Sequence, residues 1–470
     1  MLRLYETRSR SLREIRPASP RLLKMYACGP TVYRYAHVGN LRTFLLPDLI
    51  RRTAELAGCR VLIVQNITDV GHMQDDTDVD PTGEDKLIAQ ARREGRSALD
   101  IARFYTDAFH RDQAALNIHP ADLQPRASDN IEVMLELVGT LVERGHAYRA
   151  EDGTVYFDAR SSPGYGEISG NRLDELRPGH RFGGGVDENK RFHADWALWK
   201  RSDAGRRELV WGSPWGPGFP GWHVECSAMS LHHLGHAVDV HTGGIDLRFP
   251  HHEDERAQSN AAAGTEVVHN WVHGEHLLFD GRKMSKSTGN VVLLSDVVDR
   301  GHDPLALRMV FLEHRYRQQM NLTWDDIAAA DRTLARWRQR VAEWAESPSV
   351  PMRDADVQAA QAAFENDLDT PAALAVLRRV ERDPDLPDGA RFETFAHLDR
   401  LFGLDLAADV GKPRTAPELP HGAQELLDSR VAARAARDWA TSDRLRDQLA
   451  ALGVAVADTP GGQRWTLTPR

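Results

Sequence analysis

Apolar positions fall along this chain in blocks of differing period. Residues 22–28, LLKMYAC, form a short apolar run that breaks at Gly29-Pro30. Residues 41–57 follow with Leu41, Phe44, Leu45, Leu49 and Ile50 on one side of a 3.6-residue repeat. A second apolar run, RVLIVQNIT, fills 60–68. The order predicts strand, helix, strand: a βαβ unit in a parallel sheet, with a site where the strands end. Residues 129–145 again have helical period, opened by a Ser128 or Asp129 cap. AYRAEDGTVYFDA at 147–159 alternates around Asp152-Gly153 and predicts a hairpin, an antiparallel element inserted between two halves of the parallel sheet. From about 304 the pattern turns helical, and the Ala/Arg/Glu-rich stretch 326–402, with few turn signals, predicts a helical bundle. KPRTAPELPHG at 412–422 carries three prolines and reads as a linker. The last 50 residues predict a small module with a basic helix and short strands.

The blocks divide the chain into 1–125 and 206–300 as two halves of one α/β domain, 126–205 as its insertion, 301–411 as a helical region, and 412–470 as linker and terminal module. The length agrees, since 470 residues suit roughly three domains at about 150 residues each. With 59 Lys plus Arg against 69 Asp plus Glu, the net charge is -10, which argues against nonspecific DNA packaging. Contact with nucleic acid must therefore come from local basic surface. The N-terminus lacks the apolar core of a secretory signal and no run is long enough to span a bilayer, so a cytoplasmic protein is expected. Three widely spaced cysteines, Cys28, Cys59 and Cys226, do not make a disulfide framework, and reduced thiols or metal ligands are expected instead.

Candidate chemistry concentrates late in the α/β region. Ten of the 21 histidines lie between 223 and 276. Within that window FPHHEDE, 249–255, sets His251 and Glu255 one helical turn apart, a spacing that suits one cation. The alternative is a helix start made acidic to match its dipole. Cys28 ends the first strand and Cys226 follows the loop WGSPWGPGFPGW (211–222), itself either a pocket lining or a packed lid. If the two halves of the sheet meet there, Cys28, Cys226, His251 and Glu255 could close on one zinc ion; buried apolar cysteines are the competing reading. In PTVYRYAHVGN (30–40), His37 and Asn40 bracket a glycine at a helix start, where main-chain N–H groups can receive a phosphate. In GRKMSKSTGN (281–290), Lys283 and Lys286 form a cationic loop suited to polyanions. An ordinary cap and a solvated basic loop explain either motif taken alone. The loop 69–86, with seven acids, reads as structural, with a bound cation the alternative.

Together these motifs resemble the cysteinyl-tRNA synthetases, class I aminoacyl-tRNA synthetases, over nearly the whole chain. His37-Val38-Gly39-Asn40 resembles the HIGH motif, with Asn40 in place of its last histidine, and Lys283-Met284-Ser285-Lys286-Ser287 matches KMSKS in full. CGPTVY (28–33), NITDV (66–70), GWHVECSAM (221–229), HTGGIDLRFPHHEDE (241–255) and RDWATSDRLRD (437–447) are also similar to that family. The acidic loop after NITDV departs from it. The resemblance implies a Rossmann-like parallel-sheet catalytic domain with an inserted α+β connective element, then a stem-contact region and helical bundle, then an anticodon-binding mixed α/β module.

The same resemblance implies ligation of L-cysteine to its tRNA through cysteinyl adenylate, with ATP, L-cysteine and tRNA as partners and a monomer as the working state. It implies zinc on Cys28, Cys226, His251 and Glu255, and Mg²⁺ with ATP. A cysteine pocket is implied for Gly29, Thr31, Thr68, Trp222, Gly244 and Asp246, and catalytic ATP contacts for His37, Asn40, Lys283 and Lys286. Arg434, Trp439, Asp443 and Asp458 would meet the anticodon. Read from the residues, Arg430, Arg434 and Arg437 share a helical face, and 430–446 holds five arginines against two aspartates. An amphipathic helix with a core tryptophan is the plainer reading of that segment. Two rivals remain: a ligase joining adenylated cysteine to an amino sugar, against which the terminal module argues, and a silent RNA-binding relative, against which the intact KMSKS argues.

Overall fold

The computed structural model describes all residues except 71–84, 177–187, 204, 285–288, 413–418, 460, 461 and 468–470. Most of the acidic loop, most of the linker, and Lys286 with its two flanking serines therefore lie outside the described residues. The chain forms two compact units, Met1–Val410 and Gly411–Arg470.

The larger unit is built on four strands, β1 (Leu22–Ala27), β2 (Arg60–Gln65), β3 (Val240–Gly244) and β4 (Trp271–Gly274), in the order β4-β3-β1-β2. All pair in parallel, with Ala27 opposite Gln65 on one side and Thr242 on the other, and Trp271 opposite His241. Strands covered on both faces must be apolar throughout, and Leu23, Met25, Tyr26, Ile63, Val64, Val240 and Val272 are buried. Because the strands run one way, the residues just past Ala27, Gln65 and Gly244 gather at one edge, where ligands of open α/β sheets bind.

Helix α1 (Val38–Leu56) follows β1 as the periodicity predicts, but the structure buries its polar side as well, including Arg42, Asp48, Arg51 and Arg52. Those charges are matched from other segments: Asp48 accepts from Arg308 Nη2 at 2.7 Å and from Arg52 Nε at 2.9 Å, and Arg308 is fully buried. An apolar-stripe reading cannot see a second buried face whose partners lie some 260 residues away.

The inserted element is a four-stranded antiparallel sheet. Its hairpin Ala147–Arg149/Val155–Phe157 is the one the sequence predicts, and Trp196–Arg201 and Gly218–Pro220 extend it, so the tryptophan-rich loop contributes the last strand. The Ser128 or Asp129 cap is corrected. Ala127–Asn130 is a 3-10 turn, Asn130 caps Ile131–Glu143 without a side-chain bond, and Ser128 instead gives its N–H and hydroxyl to Asp69.

A smaller sheet pairs Leu277–Phe279 antiparallel with Arg282–Lys283 and parallel with Met320–Leu322. The helical region contains Pro304–Leu312, Trp324–Trp344, Asp354–Glu365, Thr370–Arg382 and Asp388–Phe402. In the smaller unit the basic segment is two helices, Ala423–Ala435 and Trp439–Ala451, followed by the hairpin Val454–Thr459/Gly462–Leu467. Arg437 lies between the helices with φ +58°, so it does not share a helical face with Arg430 and Arg434.

Candidate active site

Three of the four candidate metal ligands come from separate elements, and all four meet at the sheet edge. Cys28 follows β1, Cys226 lies in helix α2 (Trp222–Leu234), and His251 and Glu255 share helix α3 (His251–Ala263). Their donor atoms all lie within 4.8 Å of one another and all four residues are buried. His251 Nε2 stands 3.0 Å from Glu255 Oε1, and Cys28 Sγ stands 3.6 Å from the same oxygen. Two sulfurs, an imidazole and a carboxylate converging within 4.8 Å are the donor types that four-coordinate zinc takes, with bonds of about 2.0–2.3 Å. The electrostatics agree. Burial pushes the Cys28 thiol well up, while a hydrogen bond from Cys28 draws Cys226 down. Burial opposes charge on His251, yet Glu255 and the bonds to Cys226 and Glu255 hold its pKa well above the usual value. The donor set favours positive charge at its centre.

Histidines that spacing did not single out support the cluster. His251 Nδ1 is 2.8 Å from His223 Nδ1, which leaves Nε2 facing Glu255. Such a contact to the far ring nitrogen orients a ligating imidazole. His252 Nε2 lies 3.2 Å from Cys28 Sγ, His252 Nδ1 2.8 Å from His273 Nε2, and His273 Nδ1 2.7 Å from Thr7 Oγ1. Burial lowers His252 well below its usual pKa and draws His241 down to about 4 and His273 to about 3, so all three are neutral. Cys28, His241, His252 and Glu255 make a second compact donor set sharing two members with the first. The density of histidine between 223 and 276 was the available signal. Glu253 and Asp254, in the acidic first turn of α3, are buried: Glu253 accepts from the N–H groups of Ile168 and Ser169, and Asp254 from the Tyr165 hydroxyl.

Of the six candidate cysteine-pocket residues, Trp222 touches this cluster, Gly29 follows Cys28 in the chain, and Thr31, Thr68, Gly244 and Asp246 lie at or past the ends of β1, β2 and β3. Gly29 donates to Asn66 Oδ1 at 2.8 Å, and a Cβ on Gly29 would lie 1.6 Å from the Asn66 carbonyl oxygen, so only glycine fits between β1 and β2. Thr31 bridges Thr68, whose Oγ1 accepts from Asn66 Nδ2 at 2.9 Å. Trp222 opens α2 and stacks on His251 with centroids 4.4 Å apart. Gly244 ends β3, and its missing Cβ makes room for Asp246 Oδ1, which would otherwise be 2.3 Å away.

His37 and Asn40 form a reciprocal cap at the start of α1. Asn40 N–H donates to His37 Nδ1 and His37 N–H to Asn40 Oδ1, both at 3.2 Å. Burial, then the charge of Arg34, lowers the His37 pKa to about 4. The ring is therefore neutral, and with Nδ1 accepting, its Nε2–H is a donor. An amide oxygen in place of the last HIGH imidazole thus has a structural use. Lys283 ends the strand Arg282–Lys283, and its carbonyl accepts from Asn290 Nδ2 at 3.1 Å. Met284 packs on Gly39, and Val38 N–H donates to the Val292 carbonyl at 2.9 Å, so the described flanks of both motifs touch.

In the smaller unit, Trp439 is 55 % exposed and Arg434 Cζ lies 5.4 Å from its ring centroid. This rules out the core-tryptophan reading. Arg430 is buried and clamps Asp458 through both carboxylate oxygens at 3.0 Å, and Arg434 also reaches Asp458 at 3.0 Å. Arg430 is therefore a structural clamp and not an open phosphate contact. Asp443 is exposed, with Arg446 at 3.4 Å.

The family described as tRNA synthetases class I (C) catalytic domain matches residues 14–332, and the cysteinyl-tRNA ligase anticodon binding domain matches 416–465. The chain is 42 % identical over 471 residues to a cysteine–tRNA ligase of Opitutus terrae, covering 98 % of each. It is 41 % identical to one of Thermus thermophilus, covering 99 % of each, and 44 % identical to cysteine–tRNA ligase 1 of Burkholderia lata, covering 98 % of this chain and 96 % of that one. Among solved structures, the fold is similar to methionyl-tRNA synthetase of Mycobacterium tuberculosis bound by methionyl-adenylate, with TM-score 0.56 at 18 % identity over 81 % of this chain and 92 % of that one. It is also similar to the leucyl-tRNA synthetase of an Agrobacterium radiobacter ternary complex, with TM-score 0.60 at 12 % identity over 83 % and 84 %. With the catalytic family over most of its length and full-length relatives above 40 % identity, the chain belongs to the cysteine–tRNA ligases, class I aminoacyl-tRNA synthetases.

Proposed function

We propose that this ATP-dependent cysteine–tRNA ligase selects its amino acid at a zinc site formed by Cys28, Cys226, His251 and Glu255. The observation that carries the reading is the convergence of these donors within 4.8 Å at the strand ends. Of the two compact donor sets, this one has the second sulfur, and thiolates select a soft ion such as zinc. When bound there, zinc would supply a thiophilic Lewis acid that takes the substrate's sulfur in preference to a serine hydroxyl, where an apolar pocket offers only about a hundredfold.

The chain's own residues set the rest. Gly29, Thr31, Thr68, Trp222, Gly244 and Asp246 hold the amino acid so that its carboxylate faces the α-phosphate of ATP. Attack there forms the acyl-phosphate bond of cysteinyl adenylate and breaks the bond to pyrophosphate, which departs with Mg²⁺. A tRNA terminal ribose hydroxyl then displaces AMP. No protein nucleophile takes part; positioning and charge stabilisation carry the rate. Neutral His37 offers Nε2–H to a phosphate, Asn40 its amide, and Lys283 and Lys286 their charge. Trp439 supplies an exposed stacking face beside Arg434, with Asp443 and Asp458 as acceptors, for the anticodon. The enzyme works as a cytoplasmic monomer; among the described residues, no helix is long and apolar enough to cross a membrane.

Purified protein given ATP and labelled cysteine tests this, with tRNA or an amino sugar as acceptor. Transfer to tRNA, and loss of cysteine-dependent ATP–pyrophosphate exchange in Cys226→Ala, is the expected result. Cysteine activation at the normal rate by a metal-free Cys226→Ala enzyme would overturn the zinc reading.

A further inference from the structure

We infer that Arg42 is a positioning residue for adenylate formation: its guanidinium fixes the strand that leads into KMSKS against the helix that begins at HIGH. The inference rests on the reading that His37, Asn40, Lys283 and Lys286 meet ATP.

Arg42 sits on α1 two residues after Asn40 and is only 7 % exposed. Its Nη1 donates to the carbonyls of Glu275 at 3.0 Å and His276 at 3.3 Å. Its Nη2 donates to the carbonyls of Arg315 at 2.9 Å and Gln318 at 2.8 Å. Glu275 and His276 immediately precede Leu277–Phe279, and Gln318 lies two residues before Met320–Leu322, the parallel partner of that strand. The guanidinium thus stands at the common entrance of two paired strands. Leu277–Phe279 then turns back into Arg282–Lys283, which ends in KMSKS. The anchor is itself held: the Tyr316 hydroxyl donates to Asp367 Oδ1 at 2.7 Å and Arg317 Nε to Asp367 Oδ2 at 2.5 Å. On the far side of KMSKS the chain rejoins α1, where Val38 N–H donates to the Val292 carbonyl at 2.9 Å. The cationic loop is therefore tied to the HIGH helix both before and after itself, and Arg42 is the tie before it.

The side-chain chemistry is specific. All four bonds go to main-chain carbonyls, and burial lowers the pKa to about 10. Desolvating a cation there is costly, and an apolar side chain would pack the same space without that cost. What the guanidinium adds is a planar fork that fixes two chain segments at once; a lysine ammonium keeps the charge and loses the fork. A loop that must place Lys283 and Lys286 on phosphates gains from a rigid base, since small misplacements of catalytic groups lower rates by large factors.

The test uses full-length Arg42→Lys and Arg42→Gln. Competent sites are counted from the burst of adenylate formed without tRNA, and single-turnover adenylate formation is then expressed per competent site. The expected result is a rate per site lower by about tenfold or more in both variants, with the cysteine KM within about twofold of wild type. Poor folding alone lowers the number of sites and leaves the rate per site unchanged, and that result would overturn the proposal. Lys286→Ala is measured alongside. If it is slow while Arg42→Lys keeps the normal rate per site, the proposal alone falls; if it is itself normal, the nucleotide reading falls and the proposal with it.

Discussion

Met284 and Gly39, one from each nucleotide motif, are in contact: a Cβ on Gly39 would stand 2.9 Å from Met284 Cε. The absent side chain lets Met284 lie against the start of the HIGH helix. Gly39→Ala is expected to slow ATP–pyrophosphate exchange by about tenfold, because Met284 and the His37 ring, 3.1 Å from the same point, must both give way. Met284→Ala in the same chain should recover part of the loss; no recovery would locate the damage in His37 alone.

His37 supplies a second prediction. Its pKa of about 4, set by burial and by Arg34, keeps it neutral through the physiological range. A folded pKa below the unfolded value of about 6.5 means that its favourable contribution is complete above about pH 6.5 and is lost as pH falls towards 4. The rate of adenylate formation should therefore show no His37 titration near neutrality, and the corresponding limb should fall near pH 4. A limb near pH 6.5 that disappears in His37→Ala would contradict this.

Asp48 and Arg308, both fully buried, join the HIGH helix to the helical region. Burial raises the Asp48 pKa, but Arg308 and Arg52 reverse this and leave it below the usual value. Its contribution is therefore present above about pH 3.9 and is lost as pH falls through the lower folded pKa. Asp48→Ala leaves two buried guanidiniums without their carboxylate and is expected to cost about 3–5 kcal/mol. Urea denaturation of the two proteins at neutral pH measures it, and a loss under about 1 kcal/mol would contradict the account.

Much of this was readable beforehand, and what was not has physical causes. The βαβ unit was legible because buried parallel strands are apolar throughout and α1 carries a clear stripe. Spacing and the strand ends offered the four donors only as one reading beside buried apolar cysteines, and the family motifs decided between them, since Cys28 and Cys226 are nearly 200 residues apart and periodicity carries no long-range pairing. The polar side of α1 was illegible for the same reason: Arg42, Asp48 and Arg52 look like a solvated face until their distant carbonyl and guanidinium partners are in place. Arg430 was misread because a helix face rich in arginine looks alike whether it meets phosphate or an aspartate of the next hairpin.

Trp439 separates recognition from stability. An exposed ring should be removable at a cost within about 0.5 kcal/mol of stability, whereas loss of a stacked base weakens tRNA binding by about 1–3 kcal/mol. Trp439→Ala should therefore raise the tRNA KM in charging by about tenfold or more, with unchanged ATP–pyrophosphate exchange. Equal charging by both proteins would remove Trp439 from the anticodon surface.

The most direct measurement is the metal content of active enzyme, determined by mass spectrometry and normalised to competent sites. The account predicts about one zinc per site, falling together with cysteine activation in Cys28→Ala, Cys226→Ala, His251→Ala and Glu255→Ala. Fully active enzyme holding far less than one zinc per site would contradict it.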